Sequence, residues 1–551
     1  MPKTRAGTIY TSVSTKRSAM PYSRKMIGVS ALILLGMSAW VHVHLAIMGD
    51  KGWLLFAARE WLGGKKLYVD IFEVNPPLIL WIYAVPIWVS MHVPFLTDYA
   101  ALGIMGLIAS VMTLLLCLPL MARHPAFAGD RAKQGVFALL LAGIFIFITS
   151  PMFFFDRDHI LLVLTFPYML RFAPSLARIA FPVWLRAAIG LLAATGFCIK
   201  PYGLIVFAGI QLLCLLHGYF LRMMQSMETV IILLLGAGYC AVIAAFMPEY
   251  FYDVLPIAFA TYADYNIVGN TRYFMIMAFF GAIIPFCKFQ PRFETPYRPE
   301  VYYFAGVTFL YLVYARLGNG WGYTYHPLFC MLFFLTAWLL WEYSWLARDH
   351  QERGLPYRHL GLGRMFCAVS ILFNLAAASI VMIAALVAPV SDGAVENDSN
   401  KQFVEYLHKN ALPSFGVMSA EFTRWPQISR QSGARWDTRF NHLWMVPALM
   451  RSEKESAASP RWIVDYVGQA YAQDMDSRKP AAMFVDNSEE FFTYSHHVEL
   501  LAIFSRVPQF ATAWSHYRFD SSIDFCKPGK SSDLAAKVGC RYDIYRRTDS
   551  P

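Results

Sequence analysis

Long apolar runs dominate the first 390 residues, and short polar segments separate them. Each run has about 17–25 residues, enough for an α-helix to cross the hydrocarbon core of a bilayer. The runs are approximately 25–48, 77–96, 99–122, 135–151, 159–175, 183–199, 202–221, 229–247, 272–288, 300–316, 326–346 and 364–389. The pattern predicts a polytopic α-helical membrane domain over residues 25–389.

The charges between the runs favour one topology. If every run crossed, Arg123, Arg131 and Lys133 would face outward, against the tendency of basic loops to stay in the cytoplasm. The conflict disappears if the proline-rich run 77–96 lies at the outer interface or dips into it and returns. Residues 1–24 are then a cytoplasmic tail, eleven runs cross, and the first loop, 49–98, lies outside.

The segment 390–551 has the composition of a soluble domain and would also lie outside. Helix signals at 400–410, 461–476 and 497–506 alternate with strand signals in FGVMSAEF, AAMFVDN and CRYDIYRR. This alternation predicts a C-terminal soluble α/β domain. Cys526 and Cys540 fall within it, and the sequence leaves open whether they form a disulfide.

Composition supports the membrane interpretation and argues against a nucleic-acid partner. The chain is 57% apolar and 15% charged, whereas soluble proteins carry about 25% charged residues. The formal charge is +10, but the basic residues lie mainly in short loops between apolar runs, where they set orientation. The expected partner is therefore a lipid bilayer.

The first outer loop begins with a candidate catalytic carboxylate, Asp50, at the end of the first run. An amphipathic stretch, WLLFAAREWL, follows and would hold Asp50 near the lipid surface, with Trp53 and Trp61 as interfacial anchors. Further on, LYVDIFEVNPPL carries Asp70, Glu73 and Asn75 as candidate substrate-binding residues. The alternative is that Asp50 merely ends a helix in water.

A second polar cluster, FFFDRDHILL, contains Asp156, Arg157, Asp158 and His159 between two apolar runs. Ionisable residues at such depth are costly and usually functional, although a short solvated hairpin is the alternative. Asp156 and Asp158 are candidate catalytic residues, and Arg157 and His159 are candidate substrate-binding residues. Together with Asp50, the two aspartates and His159 also offer ligands for a divalent metal cation.

Other cations and aromatic residues at the outer side are candidates for binding a phosphate or a sugar. They are Lys200 in FCIKPYG, Arg272 after the loop 248–271, and Arg316, Tyr325 and His326 in YARLGNGWGYTYHP. Lys200 is otherwise a snorkelling anchor, and His326 a structural residue. The length and apolar content of the loop 248–271 suggest a mobile flap.

These motifs resemble the GT-C class of polyprenyl-phosphate-sugar-dependent membrane glycosyltransferases. The helix-end Asp50, the spacing to LYVDIFE and the following NPPL are similar to the opening of lipid A aminoarabinose transferases, protein O-mannosyltransferases and rhizobial-type glycosyltransferases. DRDH falls where the class has its second acidic motif, and WGYTYHP is similar to a late aromatic-His/Pro motif. The resemblance implies about 11–13 transmembrane helices, a juxtamembrane helix and a periplasmic active site in a bacterial inner membrane.

One departure from the class concerns the lipid phosphate. Several members carry a lysine immediately before the paired prolines to meet that phosphate, whereas this chain has Asn75 there. The phosphate must then be met by Arg157, Lys200, Arg272 or Arg316.

The predicted reaction moves a sugar from a polyprenyl-phosphate carrier to a hydroxyl of a lipid, glycan or protein acceptor. Asp50 would be the general base of an inverting displacement, and Asp156 and Asp158 would bind the acceptor or a metal, or orient Arg157. A ligase using a diphosphate-linked donor and a non-enzymatic membrane assembly protein are the alternatives. A transporter is disfavoured, because the centres of the runs are mostly uncharged and no two halves match.

Overall fold

The structure is a computed structural model that describes residues 21–44, 50–262, 298–318, 321–354, 358–387, 398–421, 424–446, 448–449, 461–487, 498–524 and 541–549. Arg272, Cys526 and Cys540 lie outside these residues, as does the predicted run 272–288. The predictions made for them stay predictions.

The chain up to residue 387 is helical. Its helices are α1 (Pro21–His44), α2 (Asp50–Leu62), α3 (Leu78–His92), α4 (Asp98–Arg123), α5 (Arg131–Ala142) with the π-helix Gly143–Phe147, α6 (Arg157–Arg171), α7 (Pro174–Ala177), α8 (Val183–Cys198), α9 (Gly203–Leu216), α10 (Phe220–Met224), α11 (Met227–Phe246), the π-helix Tyr250–Val254, α12 (Leu255–Thr261), α13 (Arg298–Leu317), the 3-10 turn Gly322–Tyr325, α14 (His326–Glu352) and α15 (Arg358–Val387).

Several of these helices are apolar enough to cross a membrane. Among the described residues, length and composition identify Asp98–Arg123, Met227–Phe246, Gly322–Glu352 and Leu360–Leu386. Shorter apolar helices span Gly28–His44, Leu78–His92, Val183–Cys198 and Gly203–Leu216. The prediction of a polytopic helical membrane protein is confirmed, while the number of crossings and the path of the run 77–96 stay predictions.

Helix α6 lies at the centre of this bundle and presents its first turn to the candidate site. Every residue from Arg157 to Arg171 is buried. The helix packs against α4, α8 and α14. Gly196 of α8 permits the close approach, because a Cβ there would lie 2.7 Å from the Cγ2 of Thr165. Dense packing on all sides fixes where the Arg157 and Asp158 side chains emerge.

The C-terminal segment forms the predicted α/β domain around a five-stranded mixed sheet. Its elements are α16 (Asp398–Lys409), β1 (Ser414–Met418), α17 (Trp425–Ser432), β2 (Arg435–Trp436), α18 (Arg461–Ser477), β3 (Ala482–Asp486), α19 (Leu500–Phe504), α20 (Pro508–Trp514), β4 (Tyr517–Asp524) and β5 (Arg541–Arg547). The strand order is β2-β1-β3-β5-β4. Strand β1 is parallel to β2 and β3, and β5 is antiparallel to β3 and β4.

The first loop docks on this domain. The Phe72 N–H donates to the Arg439 carbonyl at 2.9 Å, and the Phe72 ring packs on Phe440 and Trp444. The Asp70 carboxylate accepts a hydrogen bond of 2.7 Å from the guanidinium of Arg478. These contacts bring the C-terminal domain against the residues that follow α2.

The docking corrects one expectation. Trp53 is not an interfacial anchor, because its side chain is 5% exposed and its ring lies 5.6 Å from that of Trp436 in the C-terminal domain. The apolar face of α2 is therefore covered by protein. The stretch is helical as predicted, and Trp61 is partly exposed, so its role as an interfacial anchor stays a prediction.

Candidate functional site

The DRDH segment is built around a strained turn at Phe155, whose φ is +55°. The Phe155 N–H donates to Nδ1 of His159 at 3.0 Å, and its carbonyl accepts from the Tyr83 hydroxyl at 2.8 Å. Because Nδ1 of His159 accepts, its Nε2 carries the proton and donates to the Phe145 carbonyl at 2.9 Å. Both nitrogens of His159 thus hold the backbone, and the prediction that His159 binds a substrate or a metal is wrong for this arrangement.

A buried lysine supports the same turn from α2. The Lys51 ammonium donates to the carbonyls of Pro151, at 3.0 Å, and Phe154, at 3.3 Å. Lys51 is 6% exposed. It therefore ties the start of α2, where Asp50 lies, to the segment that leads into Arg157.

The two aspartates of DRDH are bonded to neighbouring protein groups and do not line a cavity of the site. The Asp156 carboxylate caps α6 by accepting from the Arg157 N–H at 2.7 Å. The Asp158 carboxylate, 1% exposed, accepts from the Lys200 ammonium at 2.6 Å and from the Tyr314 hydroxyl. Neither aspartate lines the cavities described below. These contacts fit the predicted alternative in which the aspartates orient Arg157, and Asp158 also holds Lys200; a direct part of either aspartate in catalysis stays a prediction.

Arg157 is the centre of the site. One terminal nitrogen pairs with the Asp50 carboxylate, and the other donates to the Asn75 amide oxygen at 2.7 Å. The side chain of Arg157 is 5% exposed, whereas that of Asp50 is 30% exposed. Asp50 is thus the more accessible member of the pair.

Asn75 is oriented by Glu73, so it presents its oxygen to Arg157. The Glu73 carboxylate accepts from the backbone N–H of Asn75 at 2.8 Å, from its side-chain amide, and from the Trp53 indole. Burial raises the pKa of Glu73, and these hydrogen bonds oppose the rise. Asn75, the residue before the paired prolines, thus orients Arg157 at the start of α6.

Two cavities meet at Arg157. The Asp50 cavity, of about 90 Å³, is lined by residues that include Asp50, Glu73, Arg157, Asn441, His442 and Trp444. The Lys200 cavity, of about 300 Å³, is lined by residues that include Lys200, Arg157, Tyr202, Leu255, Ala258 and Phe259. Both are also lined by Val74, Asn75, Tyr262, Trp321 and Tyr323.

The ring of Tyr323 lies beside both cations. Its centroid is 5.3 Å from the guanidinium carbon of Arg157 and 4.7 Å from the ammonium of Lys200. A cation over an aromatic face is stabilised without losing its charge. The two cations are therefore held together at the junction of the cavities.

The remaining predicted site residues that the structure describes do not join this centre. Arg316 is exposed at the end of α13. Tyr325 and His326 line a separate apolar cavity of about 380 Å³ beside α15, and Asp70 pairs with Arg478. We correct these predictions accordingly: the aromatic motif reaches the site through Trp321 and Tyr323, and Asp70 ties the loop to the C-terminal domain.

The predicted metal ligands do not form a metal site. Among the described residues, no group of three or more His, Cys, Asp or Glu side chains is arranged to hold a metal ion. Asp50 pairs with Arg157, Asp158 with Lys200, and His159 with the backbone. Metal dependence of the activity stays a prediction, and no step below passes through a metal.

Sequence reasoning missed several residues that line the cavities. Tyr262 belongs to the predicted flap, whose described part forms the second π-helix and α12. Asn441, His442 and Trp444 come from the C-terminal domain, where no motif marks them. The sequence points to the site through the polar cluster of the first loop. That cluster gives no information about residues so much further along the chain.

No family model and no curated protein matches the chain. It is similar to a crystal structure of ArnT from Cupriavidus metallidurans in the apo state, with 12% identity and a TM-score of 0.48, over 95% of this chain and 98% of that chain. It is also similar to ArnT from the same organism bound to undecaprenyl phosphate, with 12% identity and a TM-score of 0.49, over 96% and 99% of the two chains. Residue roles in this chain are therefore argued from its own geometry.

Proposed function

We propose that this protein is a membrane glycosyltransferase that moves a sugar from a polyprenyl-phosphate carrier to an acceptor hydroxyl. The observation that carries the proposal is the junction at Arg157. There an accessible carboxylate on one side and a second cation, Lys200, on the other face two connected cavities. A base and a phosphate clamp are the two groups that such a transfer requires.

The Lys200 cavity suits the donor. Arg157 and Lys200 offer charge-assisted hydrogen bonds to a phosphate. The same cavity is bordered by apolar residues of α12, among them Phe259, which is 80% exposed. An exposed apolar rim beside two cations fits a lipid phosphate whose chain lies in the membrane.

The Asp50 cavity suits the acceptor. A phosphate arriving beside Arg157 competes with Asp50 for the guanidinium, because both are anions that accept its hydrogen bonds. Asp50 is then free to accept a proton from the acceptor hydroxyl. Donor binding thereby prepares the base for the second substrate.

The displacement proceeds in one step. The acceptor oxygen gives its proton to an Asp50 oxygen and forms a bond to the anomeric carbon, while the bond from that carbon to the phosphate oxygen breaks. The leaving phosphate gains negative charge, which Arg157 and Lys200 stabilise. Attack opposite the leaving group inverts the anomeric centre.

We place the reaction at the periplasmic face of a bacterial inner membrane, with the N-terminus in the cytoplasm and the C-terminal domain outside. The basic loops support this orientation. The docking of the C-terminal domain on the first loop supports the same side for that domain and the cavities. Residues 1–24, 25–389 and 390–551 are the proposed tail, membrane domain and periplasmic domain.

The test uses the full-length protein in lipid nanodiscs with undecaprenyl-phosphate sugars and, in parallel, undecaprenyl-diphosphate sugars. Consumption of a monophosphate donor by the wild type is expected. Arg157→Lys keeps the charge but loses the two-pronged geometry, so its turnover should fall, whereas the exposed Arg316→Lys should match the wild type. Use of diphosphate donors alone would favour the ligase, and no turnover of any donor would favour the assembly protein.

A further inference from the structure

The C-terminal domain supplies one wall of the Asp50 cavity, and that wall contains an unsatisfied polar group. Asn441, His442 and Trp444 line the cavity together with Asp50 and Glu73. Asn441 is 6% exposed, and within the described part of the chain its amide oxygen has no hydrogen-bond partner. Buried amide oxygens normally have one, so this oxygen is expected to accept a hydrogen from a ligand.

The charges of the Asp50 cavity favour a neutral ligand over an anionic one at this wall. Arg157 is the cation among its lining residues, and its terminal nitrogens already meet Asp50 and Asn75. Asp50 and Glu73 contribute acidic groups. Burial lowers the pKa of His442 to about 4, so this residue is neutral at neutral pH. Among the described lining residues, an anion at this wall would find Arg157 as its cation, whereas the Lys200 cavity adds Lys200 as a second one.

The wall also offers an aromatic surface. Trp444 is 5% exposed and packs against Phe72 and Tyr262, whose ring centroids lie 6.3 Å and 5.4 Å from its own. These neighbours fix the indole in the cavity wall. Trp444 thus gives the cavity an aromatic lining beside the Asn441 amide oxygen, and the two match the two surfaces of a pyranose, an apolar C–H face and a rim of hydroxyl donors.

We propose that Asn441 and Trp444 form an acceptor subsite that binds a neutral sugar residue, with a sugar hydroxyl donating to the Asn441 oxygen. The acceptor is then a carbohydrate, presented from the side of the C-terminal domain while the donor enters from lipid. This inference rests on the proposed function. It gives the C-terminal domain a specific task, which is to determine the acceptor.

The experiment measures sugar transfer in nanodiscs from an undecaprenyl-phosphate sugar to a panel of methyl glycosides with gluco, galacto and manno configuration. At least one should be an acceptor. Asn441→Ala should raise the KM for that glycoside about tenfold more than it raises the KM for the donor, since one neutral hydrogen bond is lost. The matched control is Asn410→Ala, which changes an asparagine of the same domain that does not line either cavity.

Folding is checked separately. The melting midpoint of Asn441→Ala should equal that of the wild type, because the amide oxygen forms no hydrogen bond within the described structure. Equal KM ratios for Asn441→Ala and the wild type would overturn the subsite, as would a larger effect on the donor than on the acceptor.

A second measurement keeps the subsite testable if the proposed function fails. If the wild type consumes no donor, calorimetric titration with the same methyl glycosides decides. Binding by the wild type that weakens about tenfold in Asn441→Ala would support a sugar site even without transfer. Absence of glycoside binding would overturn it.

Discussion

The buried pair of Asp158 and Lys200 allows stability and donor binding to be separated. Its atoms are 2.6 Å apart, and the two side chains are 1% and 8% exposed. Asp158→Asn removes the charge but keeps an oxygen for the Tyr314 hydroxyl. The variant leaves the Lys200 charge buried without its carboxylate, which costs about 3–5 kcal/mol. For a chain of this length, such a loss lowers the melting midpoint by about 3 °C.

The double variant Asp158→Asn/Lys200→Met removes both charges, so its melting midpoint should return to near the wild-type value. Its kcat/KM for a polyprenyl-phosphate sugar should nevertheless stay about 10- to 100-fold low, because one charge-assisted contact to the donor phosphate is missing. Thermal unfolding and donor turnover in nanodiscs measure the two effects. Recovery of turnover together with stability would refute the assignment of Lys200 to the donor phosphate, and an unchanged midpoint in Asp158→Asn would refute the stabilising role of the buried pair.

Two further predictions concern the supports of the site. Lys51→Met leaves the carbonyls of Pro151 and Phe154 without their donor, so we expect a loss of about 1–3 kcal/mol in stability and a lower kcat. Lys65→Met is the control. An unchanged kcat and melting midpoint in Lys51→Met would contradict the supporting role of Lys51. The pKa of Asp70 lies below its usual value: burial raises it, but the hydrogen bond from the Lys66 N–H and the charge of Arg478 together lower it by more. The loop should therefore stay docked at pH 5 and loosen as pH falls below about 4, with faster amide exchange at residues 65–75. Exchange that does not change with pH would argue against this contact.

Helices and strands could be predicted from the sequence wherever a local apolar pattern determines the element. Long apolar runs predicted the membrane helices, and short apolar runs predicted β1 and β3, whose residues are all buried. Strand β4 escaped notice because it lies at the edge of the sheet and most of its side chains are polar and at least partly exposed. An edge strand of this kind carries no apolar signal.

The site was predictable in its members but not in their roles. Asp50, Arg157 and Lys200 were identified because each is an ionisable residue at the boundary of an apolar run. Within DRDH, however, the role depends on where each side chain emerges from the first turn of α6. At the strained turn, His159 accepts a hydrogen bond from the Phe155 N–H, and Asp158 pairs with Lys200 from a distant part of the chain.

The wall formed by Asn441 and Trp444 lay beyond sequence reasoning for a different reason. It reaches the Asp50 cavity only because Phe72 docks beside Phe440, a contact between segments far apart in the chain. An asparagine and a tryptophan in a soluble domain are ordinary residues. Only the folded arrangement shows that they line one cavity with Asp50.

The most direct test of the account is the turnover of Asp50→Asn with a polyprenyl-phosphate sugar at saturating donor and acceptor. Asparagine keeps the shape of Asp50 and an oxygen for Arg157 but cannot take up the acceptor proton. We predict that kcat falls about 10²- to 10⁴-fold while the KM for the donor does not rise, because the variant removes the charge that competes with the phosphate for Arg157. Wild-type turnover by Asp50→Asn would contradict the assignment of Asp50 as the base and, with it, the proposed mechanism.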